Sequence, residues 1–195
     1  MKLHYSLLLV LILALYTNSI IEFALFFGCI ILHEAGHIFF IIFFKQKVKQ
    51  INLNIFGGQV DCEIKNLSII KNIIINLGGV LVNLTIIKFS YLIPKYQNFL
   101  ISYNYLLIFI NLVPIYPLDG YRVCESLLSS LNAPSLEFLI ITYLSFLCLL
   151  FLFLYGVLMQ SYIIILACIV LGIKNGKRIK NKDELVLKKM LCLFS

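Results

Sequence analysis

His33, Glu34 and His37 stand in the pattern H-E-x-x-H inside an almost wholly apolar run. On a helix, two His four residues apart project from one face and can grip one Zn²⁺. Glu34 then lies beside them as a general base. The flanks are Phe26-Phe27-Gly28-Cys29-Ile30-Ile31-Leu32 and Ile38-Phe39-Phe40-Ile41-Ile42-Phe43-Phe44. Three ionisable side chains at membrane depth are costly unless they do a job. The pattern implies a metal-dependent peptidase whose active site lies within the bilayer.

Two His supply only two ligands, whereas catalytic zinc usually takes three and keeps the fourth position for water. The third is sought in Asn111-Leu112-Val113-Pro114-Ile115-Tyr116-Pro117-Leu118-Asp119-Gly120. Asp119 is the carboxylate at the end of that apolar segment. Pro114 and Pro117 remove backbone donors and disrupt a helix, and Gly120 permits an unusual backbone. Broken backbone at membrane depth is tolerated where protein or a watery cavity satisfies it. A helix broken just ahead of Asp119 could turn its carboxylate toward the His pair. The expected metal set is therefore His33, His37 and Asp119, with Cys124 or Glu125 as the alternates to Asp119. Cys29, one turn before His33, is a further group near the expected metal.

These residues need elements to position them. The chain has 195 residues, 62% of them hydrophobic, with a mean hydropathy of +1.01. A soluble domain of this length is not so apolar. The expected fold is an all-α polytopic membrane protein with little room for a separate soluble domain. About six apolar segments approach the ~20 residues that span a bilayer. They are Leu3 to Thr17, Ile20 to Phe44, Leu67 to Ile93, Phe99 to Leu118, Leu136 to Tyr155 and Val157 to Ile173. The first has a lone Lys2 and no A-x-A-like cleavage site, so it reads as a retained span.

The net charge is +7. Its excess crowds residues 174–195, as Lys174, Lys177, Arg178, Lys180, Lys182, Lys188 and Lys189, and follows the motif helix as Lys45, Lys47 and Lys49. Basic residues beside membrane spans mark the cytoplasmic side. Six spans put both clusters and both termini there, which argues against nucleic acid as the partner. His37 would lie about 12 Å and His33 about 18 Å along the helix from Lys45. The domain reading is a membrane domain over residues 1–173 and a basic cytoplasmic tail over 174–195, with Asp183 to Phe194 as a short interfacial helix. The six cysteines form no C-x-x-C pair and read as small apolar fillers.

Between the second and third segments, Ile51 to Ile55 alternates apolar with polar, Gly57-Gly58 turns, and Gln59 to Ile64 alternates again. That predicts a small β-hairpin, whose edge could pair with an unwound substrate segment. The third segment carries Asn76, Gly78, Gly79 and Asn83, which suit close helix packing.

Taken together, His33 to His37 and Asn111 to Gly120 resemble the site-2 protease family of intramembrane zinc metalloproteases. The Asn-Leu-x-Pro-x-x-Pro-Leu-Asp-Gly form is most similar to the stage IV sporulation protein FB type. Gly57-Gly58 after Ile55-Phe56 resembles that family's Phe-Gly-Gly hairpin. Gly79-Val80-Leu81-Val82-Asn83 resembles its Gly-Pro-x-x-Asn segment, with Val80 in place of Pro. The resemblance implies one Zn²⁺ per chain on His33, His37 and Asp119, with Glu34 moving the proton of the attacking water. It implies that Asn111, Asn83, Gly57 and Gly58 meet the substrate or orient the site. It implies regulated intramembrane proteolysis of a membrane-tethered regulator, such as an anti-sigma or pro-sigma factor, with a membrane regulatory partner as a further option. Sporulation relatives often carry a C-terminal nucleotide-sensing domain, which is not expected here. The competing readings are a catalytically silent membrane scaffold, a divalent-metal transporter and a different metal-dependent hydrolase.

Overall fold

The protein is described by a computed structural model covering residues 20–54, 57–63 and 68–193. The first expected span, Leu3 to Thr17, lies outside them. The described residues are predominantly helical. They fall into two compact units that divide between Ile110 and Asn111.

The first unit is built on two long helices, α1 (Ile20–Phe43) and α2 (Ile69–Phe89). The buried residues of α1 are Cys29, His33, Glu34, Gly36, His37 and Ile41. They recur at three- and four-residue intervals, so they form one stripe down the helix. The apolar side chains away from that stripe, among them Ile31, Phe39 and Ile42, are exposed, as lipid-facing residues are. The stripe meets the buried face of α2, which carries Ile75, Gly78, Gly79, Val80 and Asn83.

Glycine sets the spacing. A Cβ on Gly36 would run into the Gly78 carbonyl, and one on Gly78 would run into the Gly36 carbonyl. The backbones thus touch at a point that no larger residue allows, a form of packing common between membrane helices. Ile41 and Ile75 form the apolar core beside this crossing, with Ile38, Phe40 and Phe44 packed on it.

α1 ends in a left-handed turn. Lys45 has φ 55°, the Lys45 N–H bonds to the Ile42 carbonyl, and the Gln46 N–H bonds to the Ile41 carbonyl. This closes the last carbonyls of the helix and places a lysine at its negative end. The chain then continues as β1 (Lys47–Asn54), which runs antiparallel to β2 (Gly57–Glu63). Gly57 and Gly58 pair with Asn54 and Leu53 at the start of β2, rather than forming the turn themselves.

After α2 come two short 3₁₀ turns and α3 (Gln97–Leu112). The fourth expected span, Phe99 to Leu118, is corrected here. α3 has 16 residues, about 24 Å of helix, which is short of the ~30 Å hydrocarbon core. It stops where Pro114 and Pro117 would each remove a helical N–H.

The second unit holds α4 (Asp119–Leu128), α5 (Pro134–Leu158), α6 (Tyr162–Lys180) and α7 (Lys182–Leu193). Its core joins Ile115 and Leu118 to Leu149 on α5 and to Cys168 and Leu171 on α6. Among the described residues, three stretches are long and apolar enough to cross a membrane: Ile20–Phe43, Ile69–Leu92 and Pro134–Leu158. α6 does not join them because its C-terminal half carries Lys174, Lys177, Arg178 and Lys180.

Candidate metal site

The His pair is fixed by α2. Nδ1 of His37 donates to the Ile75 carbonyl oxygen at 2.8 Å. A carbonyl can only accept, so the proton of this imidazole is on Nδ1 and the lone pair is on Nε2. The Nε2 atoms of His33 and His37 lie 3.3 Å apart. Two nitrogens at 2.0–2.1 Å from one tetrahedral Zn²⁺ stand about 3.3–3.4 Å apart. The pair therefore has the separation of two ligands on one ion. Glu34 is buried on the same helix face, at 7% exposure.

Asn83 completes the support of His33. It is fully buried, and its Nδ2 stands 3.0 Å from His33 Nδ1. Its Oδ1 has no hydrogen-bond partner. A buried acceptor left unmade costs about 1–3 kcal/mol, and the two ends of a carboxamide exchange by a simple rotation. Turned over, Oδ1 accepts the His33 Nδ1–H. The His33 lone pair then sits on Nε2, facing that of His37. The chemistry of this donor set fits a divalent metal such as Zn²⁺, with each ligand ring oriented through its other nitrogen.

Gly79 belongs to the same arrangement. A Cβ there would overlap the His33 imidazole. The spacing in Gly78-Gly79 thus serves two purposes, helix contact at the first and room for a ring at the second. Cys29 points elsewhere: its Sγ accepts from Asn104 Nδ2 at 3.3 Å.

The second unit holds Asp119 and Asn111, both half-buried. Asp119 opens α4, where the positive end of the helix favours a carboxylate. The turn ahead of it has a cis peptide between Tyr116 and Pro117. The Ile115 carbonyl accepts from the Leu118 N–H at 2.8 Å, and the Leu118 carbonyl from the Tyr121 N–H at 3.2 Å. Gly120 is required by crowding, since a Cβ would meet the Leu112 carbonyl.

A cluster absent from the sequence reading grips this turn. Asn175 on α6 donates through Nδ2 to the Tyr116 carbonyl at 3.0 Å, and its Oδ1 accepts from Ser145 Oγ on α5 at 2.9 Å. The Arg178 guanidinium lies over the Tyr116 ring at 4.7 Å and over the Tyr121 ring at 4.5 Å, and Nη2 donates to Glu125 Oε1 at 3.1 Å. Burial pushes the Tyr121 phenol well above its ordinary pKa, and the adjacent Arg178 cation offsets only part of this. Nearby, Lys189 pairs with the buried Glu137 at 2.7 Å. The only signal for this cluster in the sequence was polar residues within an apolar helix. Gly57 and Gly58 open β2.

Comparison with known proteins bears on this arrangement. No protein-family model matches the chain. The chain is similar to stage IV sporulation protein FB of Bacillus subtilis (strain 168), at 27% identity over 108 residues. The match covers 51% of this chain and 38% of that protein's length.

Proposed function

We propose that this protein is an intramembrane zinc metalloendopeptidase, acting on a peptide bond in or near a transmembrane segment of a membrane-tethered regulator. The observation that carries the reading is the His33–His37 pair. Two imidazole Nε2 atoms 3.3 Å apart, with a buried glutamate beside them, lie on an apolar helix long enough to cross a membrane. The similarity to a sporulation protein supports a protease of the site-2 type, with an anti-sigma or pro-sigma factor as the class of substrate. Cytoplasmic placement of both basic clusters and both termini belongs to the same reading.

In this reading His33, His37 and Asp119 hold the metal. When bound, Zn²⁺ would supply Lewis acidity that polarises the scissile carbonyl and acidifies water. Glu34 accepts the proton of the attacking water and returns it to the leaving amine. Asn83 and the Ile75 carbonyl keep the two rings in the tautomers this chemistry needs. A transmembrane helix hides its amides, so the substrate must unwind locally before it is cut. Asn111 and the Gly57-Gly58 strand are the residues assigned to meet that unwound segment.

The test is zinc content together with cleavage. Detergent-purified wild type and Glu34→Gln should both carry about one zinc per chain. Only wild type should cut a co-expressed single-span regulator. Undiminished cleavage by Glu34→Gln would remove the assigned role of Glu34. Folded, metal-supplemented wild type without zinc would overturn the proposal as a whole.

A further inference from the structure

The cluster on α6 has a use that its charge does not suggest. By composition Arg178 is one more base in a positive tail. In the fold it lies over the rings of Tyr116 and Tyr121, with Phe138 farther off at 5.8 Å, and is paired with Glu125. Asn175 sits one turn earlier on the same helix and is buried at 3% exposure. Its carboxamide is fully used, accepting from Ser145 and donating to the carbonyls of Leu171 and Tyr116.

The two residues grip opposite shoulders of one short segment. Asn175 holds the backbone of Tyr116, three residues before Asp119. Arg178 packs on the rings of Tyr116 and Tyr121, which themselves meet edge to face at 5.6 Å. Between these holds lie only Pro117, Leu118, Asp119 and Gly120. Leu118 is anchored in the apolar core and Gly120 is closed in by the Leu112 carbonyl. Asp119 is thus the one half-buried polar side chain on a segment pinned on both sides.

We infer that Asn175 and Arg178 are positioning residues for Asp119, fixing where its carboxylate is presented for metal binding. This rests on the reading above, in which Asp119 is a ligand. A cation spread over two ring faces holds geometry better than a lysine could, because the planar guanidinium both stacks and donates in its own plane. Asn175 adds a directional bond at a carbonyl between Pro114 and Pro117, two residues that have no backbone N–H to donate.

The experiment is a double-mutant cycle on zinc affinity, measured by chelator competition with the full chain in detergent. The variants are Asp119→Ala, Asn175→Leu and Arg178→Lys, with each of the last two also combined with Asp119→Ala. Asp119→Ala is expected to weaken zinc by more than about 100-fold, and Asn175→Leu by about tenfold. In the Asp119→Ala background Asn175→Leu should add nothing, because its effect passes through the carboxylate. Arg178→Lys should weaken zinc by several-fold and likewise lose its effect in that background. If Asn175→Leu does not fold, the Arg178→Lys cycle decides alone. Multiplying effects, or wild-type affinity in Asn175→Leu and Arg178→Lys, would overturn the positioning role while leaving Asp119 a ligand. Wild-type affinity in Asp119→Ala would instead overturn the ligand assignment itself.

Discussion

In the first unit two imidazoles are oriented by the helix packed directly against them, one through the Ile75 carbonyl and one through Asn83. In the second unit the turn bearing Asp119 is held by side chains of α6, with Asn175 bonded to a backbone atom 59 residues away in sequence. The first arrangement depends on close approach: Gly36, Gly78 and Gly79 let backbone and ring touch. The second joins one close approach, Gly120 against the Leu112 carbonyl, to polar reach through a carboxamide, a guanidinium and aromatic faces. Close approach fails abruptly when volume is added, because packed interiors have no slack. Polar reach degrades by steps, since each bond contributes about 1 kcal/mol.

The comparison can be broken most severely at Gly120. A methyl there meets the Leu112 carbonyl, and backbone cannot rotate aside. Gly120→Ala is expected to cost about 3 kcal/mol or more, seen as a lower melting temperature in detergent even without metal. An unchanged melting temperature would show that α4 can shift without loss.

Gly79→Ala comes next. Its added methyl displaces the His33 ring, so zinc affinity should fall by about 10–100-fold. Melting of the metal-free protein should change less than in Gly120→Ala, because a side chain yields more easily than a carbonyl. Equal losses of stability in the two variants would show that the His33 ring yields no more easily than the Leu112 carbonyl.

Asn83 sharpens the comparison. Asn83→Ala removes the partner of His33 Nδ1 and should weaken zinc by about tenfold. Asn83→Asp keeps an acceptor there and should bind zinc at least as well as wild type. A weaker Asn83→Asp than Asn83→Ala would mean that His33 Nδ1 accepts rather than donates. The smallest effect belongs to Cys29→Ser, which leaves Asn104 an acceptor. Zinc affinity should hold within about threefold, and a larger loss would return Cys29 to the metal site.

Much of this molecule was legible locally. The i, i+4 spacing of His33 and His37 places both rings on one face of any helix, and the apolar flanks determine that this helix is long. The same apolar length marks Ile69–Leu92 and Pro134–Leu158 as stretches able to cross a membrane. The break ahead of Asp119 follows from two prolines. The partners of these residues were not legible, because they are set by contacts 38, 50 and 59 residues apart. Asn83 as a neighbour of His33 depends on the depth at which α1 and α2 cross. That depth is decided by the meeting of Gly36 and Gly78.

Arg178 is the sharpest case. In sequence it is one of several bases and its charge has a sufficient local explanation at the membrane surface. Stacking on Tyr116 and Tyr121 requires that α6 lie beside a turn formed dozens of residues earlier. Sequence determined which groups could do chemistry, because residue type and helical period are local properties. Tertiary structure decided which of them are oriented, because orientation depends on the neighbours that packing brings within hydrogen-bond distance.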